Sequence, residues 1–198
     1  MRSLDVRLFR DVNGWAAHSS VLHGVGRAAA GWLALATLAA CLLTAWSRGR
    51  RRPDAPVAVA SVLWALVAGA VALTVAQAAA AAIDRSLPYH ALDHVELLVS
   101  RGTGGGLPSA AAAGAGALAA ALWLSDRAVA AVAGGTALIA GLAQVYVGAR
   151  FPGDVAAGLV LGAVLAVAAR PLGLRVLSWL TVKVERSPLH LVVAAHRV

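Results

Sequence analysis

Five apolar runs separated by short charged turns constrain this chain more than any other feature. They lie near residues 28–46, 57–83, 107–124, 128–148 and 155–169. Each approaches the roughly 20 helical residues that cross a hydrocarbon layer of about 30 Å. The fifth is short, and Pro171 beyond it is expected to bend or end the helix, because its ring removes a donor and crowds the preceding turn. Fully 60% of the 198 residues are hydrophobic, too many for one soluble core to hide, and the 13% that are charged fall between the runs. Charge is excluded from lipid, so that spacing marks the spans.

The formal charge of +8 comes mainly from arginine. These arginines flank the spans, where they set topology and meet anionic headgroups, so a membrane rather than a nucleic acid is the expected partner. Cys41 is the only cysteine and no intramolecular disulfide is possible. Residues 1–14 alternate charge and bulk, so no cleavable signal peptide is expected there.

Ahead of the first span, Leu4, Leu8, Phe9, Val12 and Trp15 recur at helical spacing, which predicts an interfacial amphipathic helix. Beyond Arg170, the residues Arg175, Lys183 and Arg186 interrupt apolar sequence and predict a basic interfacial or membrane-returning segment over 171–198, distinct from a membrane domain over 1–170. Trp15, Trp46, Trp123 and Trp179 fall near span ends as an aromatic belt, while Trp32 and Trp64 read as packing residues. The fold class is therefore all-α: a polytopic helix bundle of about five spans with an amphipathic helix at its start and a basic helix at its end.

Arg48, Arg50, Arg51 and Arg52 form the densest positive cluster, which the positive-inside rule places in the cytoplasm together with the C-terminus. Segments 84–106 and 149–153 then share the outer face with the N-terminus. Three pieces meet there: Arg85 with Pro88 after the second span, the glycines 102 and 104–106 leading to Pro108 and Ser109, and Arg150 with Asp154. Glycines before a helix start present N–H groups to an anion, and guanidinium forks bind phosphate oxygens in pairs. Arg85, Arg101, Gly105, Gly106, Ser109 and Arg150 are thus candidates for holding a phosphate. Alternatively the loop is merely flexible and the arginines anchor span ends to headgroups.

The order and spacing of these pieces, and above all the run YVGARFPGDVAAG over 146–158, resemble the type 2 phosphatidic acid phosphatase family over about residues 4–169. That resemblance implies removal of phosphate from lipids or isoprenoid carriers through a phosphohistidine, with no metal or cofactor. It also implies a first motif of lysine, six residues and Arg-Pro. Here Pro88 and the additional Arg85 match, but Ala80 and Leu87 stand for the lysine and arginine. In the second motif Pro108 and Ser109 match, and Ala110 and Ala111 follow, the latter in place of the histidine that protonates the leaving group. In the third, Ala143 and Asp154 match, Gln144 replaces an arginine and Arg150 replaces the nucleophilic histidine.

A guanidinium that stays protonated to about pH 12 has no lone pair for attack. Losing the general acid as well removes help worth about 10² to 10⁴-fold. The expectation is an inactive relative that binds a polyprenyl phosphate or phosphatidate. An active phosphatase with a rearranged site is the alternative, since His90 and His94, four apart beside Asp93 and Glu96, would share one helical face as a base or metal ligands. The same segment, residues 91–100, also reads as an amphipathic helix lying on the membrane. An envelope assembly protein without a ligand is the third reading.

Overall fold

The computed structural model describes residues 2–18, 21–102, 105–185 and 193, and every regular element among them is helical. Nine helices follow in order among those residues: α1 (Arg2–His18), α2 (Val21–Ala30), α3 (Trp32–Gly49), α4 (Ala55–Ile83), α5 (Pro88–Ala91), α6 (Ala110–Trp123), α7 (Arg127–Tyr146), α8 (Pro152–Ala168) and α9 (Arg170–Glu185). Three helices, beginning at Trp32, Ala55 and Arg127, are long and apolar enough to cross a membrane by themselves. The pair α8 and α9, bent by 57°, qualifies as a broken span, and α6 is a shorter apolar helix. The five predicted spans fall on α3, α4, α6, α7 and α8.

Helix ends follow local chemistry. Asp126 caps α7 by accepting from the Val129 N–H at 3.1 Å, and Ser109 caps α6 by accepting from Ala112 at 3.4 Å. Such caps satisfy donors that a helix start otherwise leaves without partners. Pro152 opens α8, where its missing N–H costs nothing. At the α8–α9 bend, Trp64 of α4 donates its indole N–H to the Ala166 carbonyl at 3.1 Å.

Side-chain size sets the packing. Ala65, Ala72, Ala76, Ala113, Ala117 and Ala133 are buried in the main core, and α8 lies close against α6. A Cβ at Gly162 would collide with the Ala113 carbonyl, and one at Gly158 with the Ser109 carbonyl. Helices in lipid associate through close van der Waals contact, which small residues permit. Gly134, in contrast, faces open space.

The two ends of the bundle are distinct. At one, Arg48 meets Asp126 at 3.1 Å and Thr181 of α9 donates to the Pro56 carbonyl at 2.8 Å. Thus α9, where the basic segment 171–198 begins, packs along α4. At the opposite end lie α1, the turn after α4, the approach to α6 and the α7–α8 turn.

Three expectations change. The apolar stripe of α1 splits: Phe9 is buried against Phe151, with Val6 and Val12 packed beside it, whereas Leu4, Leu8 and Trp15 are exposed. Trp32 is exposed at the first turn of α3 and is not a packing residue. The helix predicted over residues 91–100 is absent after the short α5. Backbone groups there find other partners: Glu96 N–H bonds the Asn13 side chain at 3.0 Å and Leu98 N–H the Val147 carbonyl at 3.1 Å.

Candidate functional site

Arg85, Ser109, Arg150 and Asp154 converge at the end of the bundle opposite the arginine turn. Asp84 ends α4 in the left-handed conformation, φ 48°, with its N–H on the Ala80 carbonyl, which turns the next residue back over the bundle. Arg85 then reaches α8: its Nη1 donates to Asp154 Oδ1 at 2.5 Å. Its Nη2 donates to Asp5 Oδ2, also at 2.5 Å, and the guanidinium lies over the Phe151 ring, 4.8 Å from its centroid. Asp5 Oδ1 accepts from the Gly153 N–H at 2.8 Å. One arginine therefore joins α4 to α1 and α8 through two carboxylates, one hydrogen bond to each, and short charge-assisted bonds of this kind are stronger than neutral ones.

Asp154 has no exposure. Its carbonyl accepts from the Ser109 N–H at 2.9 Å, tying the starts of α6 and α8 together. Its second carboxylate oxygen, Oδ2, is buried without a hydrogen-bond partner among the described residues. Ser109 is equally buried, and its hydroxyl donates to Gln144 Oε1 at 3.2 Å while capping α6.

Arg150 takes a different role from Arg85. Its Nη1 donates to the carbonyls of Gly105 and Gly106 at 2.8 and 2.9 Å. The loop so held presses on the end of α4, where a Cβ at Gly105 would strike the Ala80 carbonyl. The Gly106 N–H is spent on the Arg85 carbonyl at 2.7 Å. In this arrangement the glycines offer carbonyls to an arginine, and the Gly106 N–H faces protein and not an open anion cradle.

Arg101 is exposed and makes none of the cluster's hydrogen bonds among the described residues; the adjacent Gly102 exchanges hydrogen bonds with the Tyr89 hydroxyl at 3.0 Å. Gly104 lies outside the described residues. Ala80 and Leu87 are buried, and Ala110 and Ala111 form the first turn of α6.

His90 packs edge-on against Tyr89, and His94 has a left-handed backbone, φ 57°. Without a helix between them they share no helical face, which corrects the arrangement expected from their spacing. His94 instead lines a groove of about 550 Å³ with Phe9, Arg10, Asn13, Asp93 and Glu96. Asn13 fixes that groove: it is buried and donates to the carbonyls of Glu96 and Tyr146, both at 2.9 Å. Asp5 and Asn13 escaped the sequence reading because charge and amide at positions 5 and 13 were indistinguishable from the polar face of an interfacial helix. Their spacing of eight, which puts them on one helical face with Phe9, was the available signal.

A helical membrane bundle with a loop-built polar cluster at one end is the architecture of a known class. No protein-family model matches this sequence, and no curated protein sequence does. By structure the chain is similar to LpxE of Aquifex aeolicus, with a TM-score of 0.62 and 21% identity over 85% of this chain and 95% of that one. It is also similar to a transmembrane PAP2 type phosphatidylglycerolphosphate phosphatase from Bacillus subtilis, with a TM-score of 0.50 and 18% identity over 88% of this chain and 96% of that one. The chain has the PAP2-type lipid phosphatase fold.

Proposed function

We propose that this chain is a membrane protein that holds a lipid phosphate and does not hydrolyse it. The observation that carries this reading is the position of Arg150. A guanidinium stands where the resemblance implies a nucleophile, and it is committed through Nη1 to the carbonyls of Gly105 and Gly106. Among the described residues no histidine is hydrogen-bonded to Arg85, Ser109, Gln144, Arg150 or Asp154. Without a lone pair on the attacking group, a covalent phosphoryl intermediate has no way to form. Nε and Nη2 of Arg150 carry no hydrogen bond among the described residues and are free to meet a phosphate oxygen, the role for which guanidinium is suited. In this reading the N-terminus and the site face outward, the C-terminus is cytoplasmic, and the ligand is a polyprenyl phosphate or phosphatidate of the cell envelope.

The test is phosphate release from phosphatidate and from polyprenyl diphosphate by the full chain in nanodiscs, with native mass spectrometry of the protein as purified. Background release with a phospholipid retained is expected. Robust turnover that disappears on Arg150→Ala would refute inactivity, and spectra free of any lipid phosphate would refute binding. A second reading is favoured by the groove at His94: an active phosphatase built around His90 or His94, recognised by turnover lost on His94→Ala or His90→Ala.

A further inference from the structure

We propose that Arg85 and the Gly153 N–H form a seat for a phosphate oxyanion, that Asp5 occupies this seat in the closed protein, and that a phosphate enters by displacing Asp5 together with α1. The inference rests on the reading that this end of the bundle holds phosphate.

Asp5 is bound the way an anionic ligand is bound. One of its oxygens takes Arg85 Nη2 at 2.5 Å and the other takes the Gly153 N–H at 2.8 Å. That amide belongs to the first turn of α8, a 17-residue helix whose start favours negative charge. Gly153 leaves room for the approach, since a Cβ there would lie only 3.0 and 3.1 Å from the two Asp5 oxygens.

The seat outlasts the departure of Asp5. Arg85 Nη1 remains on Asp154 Oδ1, and the Phe151 ring still supports the guanidinium. Exchanging a carboxylate for a phosphate replaces one anion by another, so the cluster keeps its charge complementarity.

A second feature favours phosphate over another carboxylate. Asp154 shares Arg85 with Asp5, and its Oδ2 is wholly buried with no partner among the described residues. A buried acceptor without a donor forfeits the hydrogen bond it would make to water. The hydroxyl of a singly protonated phosphate monoester supplies such a donor, and an ionised carboxylate does not.

The helix that carries Asp5 also has somewhere to go. Leu4, Leu8 and Trp15 are 63%, 46% and 69% exposed on its outer side. An amphipathic helix with that stripe is at home in the lipid interface.

The experiment uses the full chain in phosphatidylcholine nanodiscs with and without phosphatidate, and with inorganic phosphate in solution as a separate arm. Wild type, Asp5→Asn and Asp5→Ala are compared by binding titration and by hydrogen exchange along α1. Asp5→Asn preserves shape, so the comparison survives if Asp5→Ala does not fold. Phosphatidate is expected to speed exchange in α1 of the wild type. Asp5→Asn is expected to tighten apparent affinity about tenfold, the factor for a site open about a tenth of the time. The same Asp5 dependence with inorganic phosphate alone would support the seat and identify the free anion as its ligand. Phosphatidate binding with α1 exchange and both variants unchanged would overturn the seat and leave the phosphate reading standing. Absence of binding in all three proteins would overturn both.

Discussion

Arg85 and Asp154 form an ion pair at 2.5 Å that joins the end of α4 to the first turn of α8, and the carboxylate in it has no exposure to solvent. Because Asp154 also receives the Ser109 N–H on its carbonyl, this contact positions three helices at once. It makes the polar cluster part of the architecture rather than an appendage to it.

Removing the arginine should therefore be costly. Arg85→Gln leaves Asp154 as a buried charge without its partner, a change that destabilises by about 3–5 kcal/mol. Adding Asp154→Asn to Arg85→Gln should restore part of the loss, because the stranded charge is gone. Thermal unfolding of the single and double variants in detergent measures both effects.

Asn13 stitches α1 to the loop over 92–99 and to the end of α7 through three hydrogen bonds. Asn13→Ala removes these partly buried hydrogen bonds, at about 0.5–1.5 kcal/mol for each bond lost. Faster hydrogen exchange at Glu96 is the expected signature, with exchange in the middle of α4 unchanged.

Close approach of α6 and α8 gives a steric prediction. Gly162→Ala places a methyl group against the Ala113 carbonyl, and overpacking of this kind costs about 1–3 kcal/mol. Gly134→Ala faces open space and should be neutral or stabilising by up to about 1 kcal/mol, through better helix propensity. Equal melting temperatures for the two variants would contradict the packing described.

At the opposite end, Asp126 gives a pH prediction. Burial pushes its carboxyl upward, but the Val129 N–H, Arg48 and the Ala128 N–H together hold it below the ordinary value of 3.8. A lowered folded value means that its contribution is complete above the unfolded value and fades as pH falls through the folded one. The melting difference between wild type and Asp126→Asn should be constant near neutrality and shrink below about pH 4. A difference that grows on acidification would contradict this assignment.

Much of the bundle was legible in residue order. Apolar runs and the charges between them located α3, α4, α6, α7 and α8, and Pro171 foretold the bend that separates α8 from α9, since lipid and missing donors act locally. The histidine face was not legible: His90 and His94 have helical spacing, but Asn13 and Val147, distant in sequence, capture the backbone just beyond them at Glu96 and Leu98.

By itself the sequence determined that this chain is a helical membrane protein and set its arginines, glycines and Asp154 in the segments between apolar runs, because hydropathy and spacing are properties of neighbouring residues. Only the tertiary structure decided how those groups are spent. Arg85 is shared between Asp154 and Asp5, whereas Arg150 is turned onto the Gly105 and Gly106 carbonyls. The reason is physical: a buried charge takes the partner that folding brings within hydrogen-bond reach, and Asp5, 80 residues from Arg85 along the chain, reaches it only once α1 has packed against Phe151.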